Sequence, residues 1–159
     1  MRIWFDTEFI DDGKTIDLLS IGMIREDGRA LYAEPLEADP SKACDWVKKN
    51  VLVHLRGPKI SRAKIAKSIV DFAGPDPEFW AYFAAYDWVC LCQLFGRMLD
   101  VPAHWPNYVH DFKVLAGPMF KMPNGPHDAL ADAAQLRSAH LAFEQRMSAW
   151  SSRYAEHRR

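Results

Sequence analysis

Residues 2–33 read RIWFDTEFIDDGKTIDLLSIGMIREDGRALYA, and the fold is decided here. Residues 2–9 are an apolar run with acids at its far end, which predicts a strand that delivers carboxylates. Residues 17–25 predict a second strand, with Ile21, Met23 and Ile24 among its apolar positions. Glu26-Asp27-Gly28-Arg29 is a turn signal, and residues 30–33 predict the returning strand of a hairpin. A meander of three antiparallel strands is expected. Side chains two apart in a strand share a face, so Asp6 and Glu8 point the same way with Thr7 opposed.

Working outward, Pro40 and Ser41 open a helical stretch to about Val51. Ser61 suits the cap of a second helix striped by Ile65, Ile69 and Phe72, and Gly74-Pro75-Asp76-Pro77 stops it. Residues 78–84 predict a fourth strand buried on both faces, followed by a helix over about 86–98. Residues 109–112 predict a short fifth strand. Three prolines and two glycines make 117–126 a loop. A long final helix carries Leu136, His140, Phe143, Met147, Trp150 and Tyr154 on one face, with 153–159 a polar end that frays. Hairpin strands followed by strand–helix alternation predict an α/β domain with a mixed five-stranded sheet, the later strands parallel, flanked by helices.

The candidate chemistry lies in three places. Asp6 and Glu8 repel one another unless a cation sits between them, and hard oxygen ligands favour magnesium or manganese. Asp87 falls at a predicted strand-to-helix junction, where an acid serves as helix cap, as ligand facing a cleft, or as both. Asp128 suits the cap of the final helix, which leaves His127 just outside it and Asp132 in its first turns near the positive end of the helix dipole. Taken singly, each motif has an ordinary reading: exposed acids at a strand end, a cap, a surface histidine. Four carboxylates and one histidine together are what a two-metal phosphodiester-cleaving site needs.

These motifs, in this order, resemble those of the DEDD exonucleases of the DnaQ-like, ribonuclease H-like superfamily, in the DEDDh subgroup with a His-x4-Asp third motif. Asp6-Thr7-Glu8 looks like the first motif, Tyr86-Asp87 the second, and His127-Asp128-Ala129-Leu130-Ala131-Asp132 the third. The run from Phe5 to Gly13, Ile16 to Gly22, and Ala85-Tyr86-Asp87 before Leu91-Cys92-Gln93-Leu94 is similar to the compact mycobacterial-type 3′–5′ exoribonucleases related to ribonuclease T. One departure stands out: many superfamily members carry an asparagine a few residues before the second-motif aspartate, where this chain has Tyr82-Phe83-Ala84-Ala85.

The resemblance implies a ribonuclease H-like fold and hydrolysis of RNA from its 3′ end to nucleoside 5′-monophosphates. Asp6 is then expected to bridge two divalent cations, magnesium or manganese. Glu8 and Asp132 complete the shell of one and Asp87 holds the other. His127 is expected to take a proton from water as general base. Thr7 is expected near the terminal sugar through its backbone. Phe9 reads equally as a base-stacking wall or a core residue, and Trp88 as a second wall or a core residue. A single-stranded RNA or a 3′ overhang is the expected partner, with a DNA exonuclease or a non-catalytic nucleic-acid-binding domain as alternatives. Ribonuclease T-like relatives suggest a homodimer.

Composition agrees. The chain has 159 residues, 49% of them hydrophobic, which is one domain with a sizeable core. Its net charge of −1 becomes +3 once the four site acids are set aside, a balance suited to a small or transient phosphate substrate. Arg56, Lys59, Arg62, Lys64 and Lys67 read as a phosphate track or a solvated helix face. Cys44, Cys90 and Cys92 form no disulfide framework and read as small buried hydrophobes. His54, His104, His110 and His140 lack metal-ligand spacing. With no signal peptide or membrane-span pattern, a cytoplasmic location is expected.

Overall fold

The computed structural model describes residues 1–156, with side chains through Ser152. The place of Tyr154 on the last helix face lies outside the described side chains; of the end expected to fray, 153–156 is helical and 157–159 lie outside the described residues. The opening meander forms as its pattern predicts: β1 (Arg2–Asp11), β2 (Ile16–Arg25) and β3 (Ala30–Pro35) run antiparallel, with Asp6 opposite Gly22. Gly28 at the hairpin turn has φ of +87°, a conformation that glycine adopts without a Cβ clash.

Beyond the hairpin come α1 (Asp45–Asn50), β4 (Lys59–Ile60) and α2 (Arg62–Ala73). They are followed by β5 (Glu78–Ala81), α3 (Ala85–Gln93), β6 (His110–Asp111), α4 (Phe112–Ala116) and α5 (Ala129–Glu156). The sheet is mixed and has six strands in the order β4-β3-β2-β1-β5-β6, with β5 and β6 parallel to β1 and β4 parallel to β3. The strand beyond the expected five is β4. Two residues are too short to show any alternation, so nothing in the pattern announces it.

Several boundaries differ from the pattern. The stretch expected as one helix over 40–51 divides into a 3-10 turn at Pro40–Lys42 and α1, because Ala43 and Cys44 are extended. The fourth strand ends at Ala81 rather than 84, since Phe83 turns into the left-handed region at φ +58°. The helix expected to reach Met98 stops at Gln93, short of Gly96 with φ of +110°. Ser61 caps α2 as expected, its hydroxyl accepting the Lys64 N–H at 3.4 Å.

Period-two alternation along β1 sorts the molecule into two layers. Ile3 and Phe5 face a core built with Ile65 and Ile69 of α2 and Cys90 and Leu91 of α3. Trp4 faces the other way, onto Leu136 of α5, Trp80 and Phe112. Asp6 and Glu8 continue the Trp4 side of β1, so they emerge beneath the start of α5. β5 is buried on both sides, with Phe79 in the first layer and Trp80 in the second. The contact of α5 with the sheet depends on Gly22: a Cβ there would lie 2.2 Å from the Leu130 nitrogen, so the first turn of the helix rests directly on the strand backbone. His140, on the inner face of α5, is 1% exposed and accepts the Trp4 indole N–H at 2.9 Å, a structural role. Cys90 and Cys92 are buried as expected, but Cys44 is exposed because it lies in the extended link before α1. No helix among the described residues is long and apolar enough to cross a membrane.

Candidate active site

A cleft of about 570 Å³ opens where β1, the start of α3 and the start of α5 converge. Asp6, Glu8, Asp87, His127 and Asp132 all line it. Three separate chain segments therefore bring the five predicted polar residues to one place.

Each is placed by a local cause. Past Trp4, β1 no longer pairs with β5, so the outward N–H of Thr7 has no strand partner. Asp87 takes it: Oδ1 accepts the Thr7 N–H at 2.9 Å and the Thr7 hydroxyl at 2.6 Å. Asp87 is thus the third residue of α3, not its cap, and the Thr7 N–H is already committed rather than open to a sugar. The start of α3 has Ala84 at its cap position, which has no side-chain acceptor; the carboxylate of Asp111 supplies one from β6, accepting the N–H groups of Phe83 at 3.3 Å and Ala84 at 3.1 Å.

At the other wall, Asp128 Oδ1 accepts the N–H groups of Leu130 and Ala131, capping α5. Arg56 grips the same carboxylate at 2.6 and 2.7 Å. His127 precedes the helix with φ of +59°, and its ring lies edge-on to Trp46 of α1 at 4.8 Å between centroids. Asp132 is buried, and its Oδ1 has no hydrogen-bond partner. Gly125 closes over it so tightly that a Cβ would fall 1.6 Å from that oxygen.

The electrostatics follow from crowding. None of Asp6, Glu8, Asp87 and Asp132 forms an ion pair with a lysine or arginine among the described residues. Burial, then repulsion by Asp87, Glu8 and Asp132, holds the Asp6 carboxyl well above its ordinary range. Burial and the charge of Asp132 push Glu8 to about 8. Asp87 rises to about 6 through burial, against the pull of its Thr7 hydrogen bonds. Asp132 is also raised by burial, with His127 opposing. Glu8, His127 and Asp132 each offer a ligand atom within 4.8 Å of the others. A buried, unpartnered carboxylate oxygen among uncompensated oxygen donors fits a hard divalent cation.

The cleft has aromatic walls that the residue pattern only partly announces. Phe9 lines it and stacks on Tyr86 at 5.6 Å between centroids while packing against the core. Tyr82, Phe83 and Met122 line it too. Trp88, read as either a second wall or a core residue, takes the core place: one residue beyond Asp87 on α3, it is half-buried and packs on Phe79 at 5.9 Å rather than lining the cleft. The side chains of the basic stretch 56–67 go to different places. Arg56 reaches Asp128, Arg62 pairs with Asp17, and Lys64 and Lys67 are exposed on α2, which covers the opposite face of the sheet from the cleft.

Fold and site together mark a hydrolase of the nuclease class, and comparison with known proteins narrows it. The family described as the 3′–5′ exoribonuclease Rv2179c-like domain matches residues 1–142. The chain is 42% identical over 155 residues to a 3′–5′ exoribonuclease of Mycobacterium tuberculosis, in strains H37Rv and CDC 1551 alike, across 89% of this chain and 92% of the relative. The chain belongs to the Rv2179c-like 3′–5′ exoribonuclease domain family.

Proposed function

We propose that this protein is a divalent-cation-dependent exoribonuclease that removes nucleotides from the 3′ end of RNA and releases nucleoside 5′-monophosphates. The observation that carries this reading is the buried Asp132 Oδ1, unpartnered beside Glu8 and His127 in a cleft where Asp6, Glu8, Asp87 and Asp132 have no lysine or arginine ion pair among the described residues. Asp6, Glu8 and Asp132 would hold one cation and Asp6 and Asp87 a second. Bound there, the cations supply Lewis acidity for an attacking water and charge for the departing 3′ oxygen.

The chain's own residues do the rest. The imidazole of His127, within 4.8 Å of the Glu8 and Asp132 oxygens, accepts the proton of the attacking water. Thr7 locks one oxygen of Asp87 through two hydrogen bonds, which leaves the second oxygen as ligand. Phe9 and Tyr86 offer a stacked aromatic surface for the terminal base, a contact tolerant of base identity and worth roughly 1–3 kcal/mol per base. The loop from Met122 to Gly125 forms the opposite rim and keeps bulk water from Asp132.

The test is a time course on matched 5′-labelled RNA and DNA oligonucleotides with magnesium, with manganese and with EDTA. A cation-dependent ladder shortening from the 3′ end, faster on RNA, is expected. Asp6→Ala and Asp132→Ala should abolish it while leaving the circular dichroism spectrum intact. Faster shortening of DNA would make the protein a DNA exonuclease. No cleavage of either by folded protein would leave a nucleic-acid-binding domain.

A further inference from the structure

His127 is aimed by something other than its own helix. It precedes α5 with a left-handed backbone, φ +59°, so the regular spacing of helical side chains does not orient its ring. Among the described residues no side chain or carbonyl hydrogen-bonds the imidazole, whereas a general base in a hydrolase is ordinarily oriented by a hydrogen-bonded third group. The ring instead abuts the indole of Trp46, at 4.8 Å and 78° between planes. Trp46 is 54% exposed on the two-turn helix α1, which contributes no buried residue to the core, so packing of the fold does not account for a tryptophan there. The backbone beside His127 has an anchor of its own. Arg56 grips Asp128, and the Arg56 N–H is itself held at 2.6 Å by the buried carboxylate of Glu34. That arrangement fixes the position of the residue and leaves the rotation of the ring to what packs on it, where Trp46 is the aromatic contact.

We propose that Trp46 is the positioning residue for His127, its indole holding the imidazole turned toward Glu8 and Asp132. The proposal rests on the reading of His127 as general base. An edge-on aromatic pair raises the population of one rotamer by roughly 2- to 10-fold, and the rate of a step that needs that rotamer changes in proportion.

The experiment compares Trp46→Ala, Trp46→Phe and His127→Asn by steady-state kinetics on RNA, with the proton spectrum of the metal-free proteins in parallel. His127→Asn assigns the imidazole resonances. Expected for Trp46→Ala is a kcat lower by roughly 2- to 10-fold with KM unchanged, and imidazole protons that lose the ring-current shift of the indole. Trp46→Phe, which keeps an aromatic edge, should recover most of both. An unchanged kcat with unmoved imidazole resonances overturns the proposal. A raised KM with unchanged kcat also overturns it, by making Trp46 a substrate contact. Full activity in His127→Asn would remove the base assignment itself, a failure read from a different variant and separable from the ring-current result.

Discussion

Gly125 carries a requirement out of proportion to its size. The prolyl loop passes so close to Asp132 that a methyl group at Gly125 would fall 1.6 Å from Oδ1, and the oxygen it would displace is the buried, unpartnered one. Gly125→Ala should therefore lower activity at least roughly tenfold and weaken magnesium binding measured by calorimetry, because a ligand moved by even an ångström leaves productive geometry. Pro123, Asn124 and Pro126 around Gly125 are exposed, so Tm should change little; an active Gly125→Ala protein would mean the loop yields freely. At this scale the five polar residues of the site were readable, since each carries its context in adjacent letters: Asp6 two before Glu8, Asp87 after an aromatic strand, His127 before a capping Asp128. The aromatic rim was not. Phe83 falls in a run whose composition reads as buried strand, yet its backbone turns left-handed and leaves the ring 62% exposed at the cleft. Composition cannot register a change of φ. For Trp88 the core reading is the one that holds: adjacency to Asp87 in sequence is a turn of about 100° on a helix, which packs the indole against the core.

Among the elements, α5 sets the site by where its first turn lands. Gly22 lies opposite Asp6 in the β1–β2 ladder and admits the backbone of Leu130 to within 2.2 Å of its missing Cβ. That contact puts Asp132, two residues beyond Leu130 in α5, over Asp6 and Glu8. Gly22→Ala should push the helix outward, costing about 1–3 kcal/mol as overpacking does. For a chain of this size the corresponding fall in Tm is roughly 3–10 °C. Activity measured well below the new midpoint should fall too, since Asp132 moves with the helix; retained activity would show that the sheet, not the helix, absorbs the strain. Strong periodicity made the meander, α2 and α5 legible from their letters alone. The pieces that escaped are those where tertiary contact replaces local preference: β4 exists because two residues meet the edge of β3, and α3 begins without a cap of its own because Asp111 reaches over from β6.

At the scale of the whole molecule, the crowding of buried acids carries a cost that should show as a dependence on pH and, on the proposed reading, on cation. Glu8 is raised from an ordinary 4.5 to about 8, Asp87 from 3.8 to about 6, and burial among these acids also holds Asp6 well above its ordinary range. Each group holds its proton more tightly folded than unfolded, so in the intermediate range the folded chain binds more protons. Stability then falls as pH rises. The contribution is complete below the unfolded values near 4 and is lost as pH climbs through about 6 and then about 8. In EDTA the Tm should decline between roughly pH 5 and pH 8. Saturating magnesium should reverse that decline at the upper end, where ionised carboxylates bind it, by about 2.7 kcal/mol at a hundredfold excess over Kd. At the lower end the protons already neutralise the acids and magnesium should do little. Glu8→Gln, which removes the most precisely bounded of these charges, should raise the metal-free Tm near pH 8 and shrink the response to magnesium. A Tm indifferent to magnesium at every pH would mean that the acids find their balance elsewhere, and the cation assignment would fall with it.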